Sequence, residues 1–353
     1  MKNKLISLCL LAVIVLSVFT GCDEKQKAKQ QYKSYSYAYF DTISTIIGWE
    51  TDENEFAKTS KETLTLLSEY HKLFDIYNEY DGVPNICTIN KLENGQHPVV
   101  KVDRRIIDML LLAKEMYSLT NGKMNIAMGS VLSIWHDYRT AGLDNPSEAA
   151  LPPMDELTKA AGHTDINKVV IDEANSTVWL SDPDMKLDVG AFAKGYAVEM
   201  AARSLIEKGK TDYVINVGGN IRTIGTKPDG SKWKTGIENP TMDDENPYIQ
   251  YIEIAGQTVV TSGSYQRYYM VKGKKYHHII DSATLMPAEG LLSVSIVCES
   301  SALGDALSTA LFCMSLDDGL ALVNSLDGVE ALWVTEDETL HFSNNFSSFV
   351  YQQ

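Results

Sequence analysis

The segment Ser300–Phe312, SSALGDALSTALF, constrains the fold more than any other stretch of the chain. Read as a helix, it is apolar nearly all round, because Ala302, Ala306, Leu307, Ala310, Leu311 and Phe312 leave no polar face. Such a helix belongs inside a protein rather than on its surface. Its few polar groups are drawn inward with it. Asp305 and Thr309 stand four residues apart and so share one face. Most pairs at that spacing decorate a surface, but this one has only apolar company, and a buried aspartate needs a partner. A carboxylate and a hydroxyl are hard oxygen donors of the kind that suits Mg²⁺, which takes few protein ligands and keeps water or substrate phosphate for the rest.

The remainder of the chain is compatible with a large core: 353 residues, 44% hydrophobic and 22% charged. These values exclude a disordered tract and a small disulfide scaffold, and the length fits one large domain or two lobes. Helical periodicity is clear in residues 57–74, 104–119 and 191–208. Strand-like runs cover 169–172, 177–180, 213–217, 249–254, 258–261, 267–271, 292–298 and 331–335. Pro146, Pro152 and Pro153 punctuate a polar stretch that predicts a boundary near residue 150, with a helical lobe before it and a sheet-rich lobe after it. The formal charge of −16 gives no pull toward nucleic-acid phosphates and argues against a nucleic-acid partner. An anionic ligand would instead need a local cation or a metal.

At the N-terminus, Lys2 and Lys4 precede an apolar run from Leu5 to Val18, then Phe19-Thr20-Gly21-Cys22. The run is short of the roughly 20 residues that span a bilayer and reads as an export signal over residues 1–21. It resembles a bacterial lipoprotein signal, with Cys22 lipidated after cleavage and Phe19 standing where leucine is commoner. The expected location is the bacterial membrane, lipid-anchored and facing the extracytoplasmic side. Residues 22–34 are polar and predict a flexible tether ahead of a folded domain over 35–353. Cys87, Cys298 and Cys313 remain in that domain without metal-ligand spacing, and no disulfide framework is inferred.

Other segments hold more polar residues than a core requires. Asp188 precedes a glycine turn and a helix beginning near Ala191, with Lys194 one turn in. This is first a capped helix start with a solvated lysine, and second an anion site, because free amides at a helix N-terminus beside a lysine suit phosphate. Gly218-Gly219 reads as a tight turn or as a close backbone approach to a ligand. His277 and His278 border the apolar pair Ile279-Ile280. They fit the edge of a core, and equally a general base for a hydroxyl nucleophile. Trp135, His136, Asp137 and Arg139 end a helix-like segment and receive no chemistry.

Taken together, residues from about Tyr39 to Leu322 resemble the ApbE family of FAD:protein FMN transferases. The resemblance rests on five ordered motifs: Asp188-Val-Gly-Ala-Phe-Ala-Lys-Gly195, Val217-Gly-Gly-Asn220, Thr261-Ser-Gly263, His278-Ile-Ile-Asp281 and Asp305-Ala-Leu-Ser-Thr309. It implies an α+β fold of two lobes related to the T-fold, with mixed sheets and flanking helices. It also implies transfer of FMN from FAD to a Thr or Ser hydroxyl of an exported flavoprotein, with Mg²⁺ as cofactor and AMP released. Carried over by position, Asp305, Thr309 and the Ala191 carbonyl are the expected metal ligands, and His278 is the expected base. Phe40, Tyr77, Asn90, Met124, Asn125, Ile126, Asp188, Lys194 and Ile279 are the expected FAD contacts.

The chain departs from the family pattern in three places. Phe40 stands where methionine is common, and MNIAMG replaces a Phe-Asp-Pro-Thr pattern. After Asp281, Ser282-Ala283-Thr284-Leu285 replaces Pro, one residue, Thr and Gly. Loss of that glycine, a residue suited to positive φ, predicts a reshaped turn beside His278. Two other activities share these residues: an FAD pyrophosphatase with water as nucleophile, and a non-enzymatic FAD-binding lipoprotein.

Overall fold

The computed structural model describes residues 28–352, so the export signal, Cys22 and the first part of the expected tether lie outside the described residues. The chain opens with a hairpin of β1 (Gln30–Tyr39) and β2 (Thr42–Glu50), then α1 (Glu53–Phe74), the short α2 (Ile86–Ile89), β3 (Val100–Lys101) and α3 (Arg104–Leu119). Next come α4 (Gly129–Asp144), α5 (Met154–Ala161), β4 (Val169–Asp172), β5 (Thr177–Leu180) and α6 (Ala193–Glu207). The second half runs β6 (Asp212–Val217), β7 (Asn220–Gly225), β8 (Trp233–Glu238), β9 (Tyr248–Ile254), β10 (Thr258–Gly263), β11 (Tyr268–Val271) and β12 (Lys274–His277). It closes with β13 (Leu291–Cys298), α7 (Ser301–Phe312), α8 (Leu316–Asn324), β14 (Glu330–Thr335) and β15 (Leu340–Phe342).

This is the expected α+β class. Eight strands form one antiparallel sheet in the order β1-β2-β6-β7-β10-β13-β14-β15. Helices α1, α6 and α7 cover one face, α7 lying on β10 and β13 as its apolar sequence demands. On the opposite face, Ile237, Ile252 and Ile254 of the β8–β9 hairpin cover Val259, Val297 and Leu332. Three small sheets, β3-β5-β4, β8-β9 and β11-β12, complete the structure.

Two expectations need correction. The chain enters the sheet at Gln30, inside the stretch expected to be tether, because Tyr32 turns inward and stacks 5.5 Å from Phe56. The expected division near residue 150 is crossed by the main sheet, since β2 pairs with β6 from Ser44↔Val217 to Gly48↔Tyr213. None of Cys87, Cys298 and Cys313 is paired, as expected.

The antiparallel register sets the site. It brings the β1–β2 turn, the β6–β7 turn and the start of α6 to the same end of the sheet, where Gly218 N–H donates to the Ile43 carbonyl at 3.1 Å. Gly218 has φ +53°, and a Cβ there would lie 2.4 Å from Thr42 Oγ1, so the turn needs glycine for both space and conformation.

Candidate active site

One wall of the site is a helix seam. At Gly195, α6 crosses α7 so closely that a Cβ would stand 2.3 Å from Asp305 Cβ and 2.4 Å from the Ser301 carbonyl. Gly195 lies in the first turn of α6, where its amide has no intrahelical carbonyl, and it donates to Asp305 Oδ2 at 2.7 Å. Among the described residues, no backbone N–H is bonded to the Ala191 carbonyl, which leaves Ala191 with an acceptor to offer. Asp305 is buried, and burial raises its pKa against the opposing pull of Lys194 and the Gly195 amide. Lys194, whose pKa burial lowers, donates to the Gly218 carbonyl at 3.3 Å. One turn beyond Asp305, Thr309 Oγ1 lies 3.4 Å from Ser262 Oγ, which is 2.8 Å from Ser308 Oγ.

The seam fits a hard divalent cation. Its donors are a carboxylate held by one amide, a hydroxyl one helical turn away and an unclaimed backbone carbonyl. Asn220, 1% exposed, sets its side-chain amide beside the Asp305 carboxylate and, like the Gly195 amide, favours its charged form against burial. Behind the seam, buried Glu199 on α6 bonds Arg222 Nε of β7 at 3.1 Å and accepts the Ser301 amide at 3.0 Å, locking the three elements together.

The second wall is more open. His278 follows β12, with its amide 3.0 Å and its Nδ1 3.2 Å from the Arg267 carbonyl. That contact assigns the ring proton to Nδ1 and leaves the lone pair on Nε2. Burial, helped by the Arg267 and Arg139 charges and by His277, holds the His278 pKa down to about 3, so the imidazole is neutral at physiological pH. Asp188, its pKa raised by burial, accepts the Gly190 amide at 2.9 Å. Tyr77 is exposed, with its ring centroid 5.2 Å from that of His136. Phe40 occupies the β1–β2 turn at φ +56°, edge-on to His71 at 5.4 Å.

The turn after His278 has a positive φ at position 285. Leu285 itself adopts φ +60°, a conformation unfavourable for a side-chain-bearing residue. It is held by Trp135 Nε1, which donates to its carbonyl at 2.9 Å, and by burial of its side chain against Met128, Val131 and Trp135. Packing thus holds a conformation that glycine would adopt without strain.

Several expected contacts have other work. Asn90 Nδ2 donates to the Leu187 carbonyl at 2.9 Å while its Oδ1 accepts the Leu187 amide at 2.7 Å, so its amide fixes the extended loop leading to Asp188. Met124 and Ile126 are core side chains, and Asn125 donates to the Thr164 carbonyl and accepts from Ala127. Their link to the site is structural, through the Asp188 amide donating to the Ile126 carbonyl at 2.8 Å. Ile279 is buried in the core formed with α7. Conversely, His136, Arg139 and Arg267 belong to this wall although they carry no motif. Asn220 and Ser262 lie within recognised motifs, and only their placement beside Asp305 and Thr309 gives them a role.

A family model described as the ApbE family matches residues 40–333. The chain belongs to the ApbE family. A relative from Klebsiella pneumoniae named FAD:protein FMN transferase is 29% identical over 283 residues, 77% of this chain and 84% of its own. A Treponema pallidum protein of the same name is 32% identical over 297 residues, 80% of this chain and 78% of its own. Among solved structures, the ApbE protein of Thermotoga maritima superposes with a TM-score of 0.79 at 29% identity, covering 92% of this chain and all of that one. The flavin transferase ApbE of Vibrio cholerae gives a TM-score of 0.73 at 22% identity, covering 91% of this chain and 99% of its own.

Proposed function

We propose that this ApbE-family chain transfers FMN from FAD to a threonine or serine hydroxyl of an exported flavoprotein, with Mg²⁺ as cofactor and AMP as the second product. The names of its relatives support the reaction, and the seam supports the metal. The observation that carries the reading is the Asp305 carboxylate, buried between the Gly195 amide and Lys194, with Arg267 linking that side to the neutral His278 by acting on Lys194 through its charge and on the imidazole through its carbonyl.

In this reading Asp305, Thr309 and the Ala191 carbonyl hold the ion. When bound, it draws charge from the diphosphate and eases departure of AMP. Lys194 supplies a local cation for the dinucleotide in a protein of net charge −16. His278 Nε2 takes the proton of the acceptor hydroxyl as its oxygen attacks the FMN-side phosphorus. Seating on the Arg267 carbonyl keeps the imidazole in the tautomer that can accept that proton. A lipid on Cys22 would place this chemistry at the outer face of the membrane, beside exported acceptors. Among the described residues no helix is long and apolar enough to cross a membrane.

The test is to incubate the chain from Asp23 onward with FAD, Mg²⁺ and an exported FMN-domain protein. Flavin fluorescence on the denatured acceptor together with AMP supports transfer. AMP with free FMN points to a pyrophosphatase, and intact FAD to a binding protein.

A further inference from the structure

Two arginines reach the open wall from separate elements. Arg139, half-buried on α4, has a guanidinium nitrogen 3.0 Å from His136 Nδ1, and His136 in turn faces Tyr77. Arg267, exposed just before β11, gives its carbonyl to His278. Helix α4 packs on β11, with Trp135 and Val131 in one core with Tyr269 and Val271, which brings the two arginines to one wall. There their charges repel each other, and both act on His278 and Asp188.

Among the described residues neither arginine forms an ion pair with a carboxylate, in a chain with 47 acidic and 31 basic side chains. Asp188 forms no ion pair with either arginine among the described residues, and burial works against its charged form. Two like charges held together repel until an anion joins them, and arginine forks match phosphoryl oxygens bidentately.

We infer that Arg139 and Arg267 grip the phosphoryl group that is transferred, on the His278 side of the cleft, and that Lys194 and Asp305 serve the departing phosphate on the other side. This rests on the transferase reading above. The FMN-side phosphorus exchanges its anhydride bond for a bond to the acceptor oxygen. AMP leaves with the bonding pair, the hydroxyl proton passes to His278 Nε2, and the arginines offset charge on the non-bridging oxygens.

The test is equilibrium binding of FMN, riboflavin, AMP and adenosine to the metal-free protein and to its Arg139→Gln, Arg139→Lys and Arg267→Gln variants. The protein should prefer FMN to riboflavin by about tenfold or more, as a charge-assisted phosphate contact gives. In Arg139→Gln and Arg267→Gln that preference should fall severalfold, with riboflavin binding and the AMP-to-adenosine ratio unchanged. Arg139→Lys should retain part of it. The His278 pKa, followed by NMR, should rise in Arg139→Gln, which a purely structural role would not produce. An FMN-to-riboflavin ratio unchanged in both glutamine variants overturns the inference, as does loss of the AMP preference instead. If FAD is still cleaved under those outcomes, only the arginine assignment fails; if neither FMN nor FAD binds, the transferase reading fails with it.

Discussion

The two walls of the cleft are built in opposite ways. The α6–α7 seam is tight and buried, with a helix crossing that admits only glycine at 195 and a carboxylate held by a backbone amide. The facing wall is assembled from α4, the β11–β12 hairpin and the loop after α1, with Tyr77 60% exposed and Arg267 exposed. A divalent ion needs preorganised oxygen donors, whereas a wall that receives a protein acceptor must stay open. Rigidity belongs to the α6–α7 seam and access to the facing wall.

Substitutions on the two walls should therefore fail differently. Asp305→Ala should have the largest effect, lowering transfer by about 10³-fold or more and abolishing the response to added Mg²⁺, measured by flavin fluorescence on the acceptor. His278→Ala should cost roughly two to four powers of ten in turnover while FAD affinity, measured by fluorescence quenching, stays within about threefold. Equal losses of FAD affinity in both variants would erase the distinction between the walls. Gly195→Ala should destabilise the fold by about 1–3 kcal/mol in urea unfolding, because its Cβ forces the seam apart, and should weaken metal binding as well.

A smaller effect is expected at the turn. Leu285→Gly relieves about 1–2 kcal/mol of positive-φ strain but gives up a buried side chain worth about 2–5 kcal/mol. Urea unfolding should thus show a modest net loss of stability with transfer retained. The smallest effect concerns pH. The folded protein holds His278 neutral down to about 3, while the unfolded chain protonates it near 6.5, so the unfolded state binds more protons between those values. Stability should fall as pH drops through that window, and His278→Gln should show a shallower fall between pH 7 and 4. An unchanged slope would mean that His278 is solvated.

The seam was the more legible wall because its residues fall in short contiguous motifs whose glycines and apolar periodicity carry packing information. The helix over 104–119 and the strands over 169–172 and 177–180 match the structure residue for residue. The open wall depends on contacts far apart in sequence, such as Trp135 with Leu285 across 150 residues, which no local pattern encodes. Arg139 and His136 sit in an ordinary amphipathic stretch, and only tertiary placement turns them toward the cleft. Strand β1 escaped notice because its Lys33, Tyr35 and Tyr37 face outward on an edge strand and resemble tether composition. Strand β7 escaped notice because buried Arg222 and Thr223 obscure its apolar alternation.

Titration of the metal-free protein with Mn²⁺, followed by electron paramagnetic resonance, addresses the seam most directly. One ion should bind the unmodified chain, and that binding should be lost or weakened by about 10²-fold or more in Asp305→Ala, while His278→Ala binds as the unmodified chain does. Undiminished Mn²⁺ binding in Asp305→Ala would contradict a metal centre between α6 and α7.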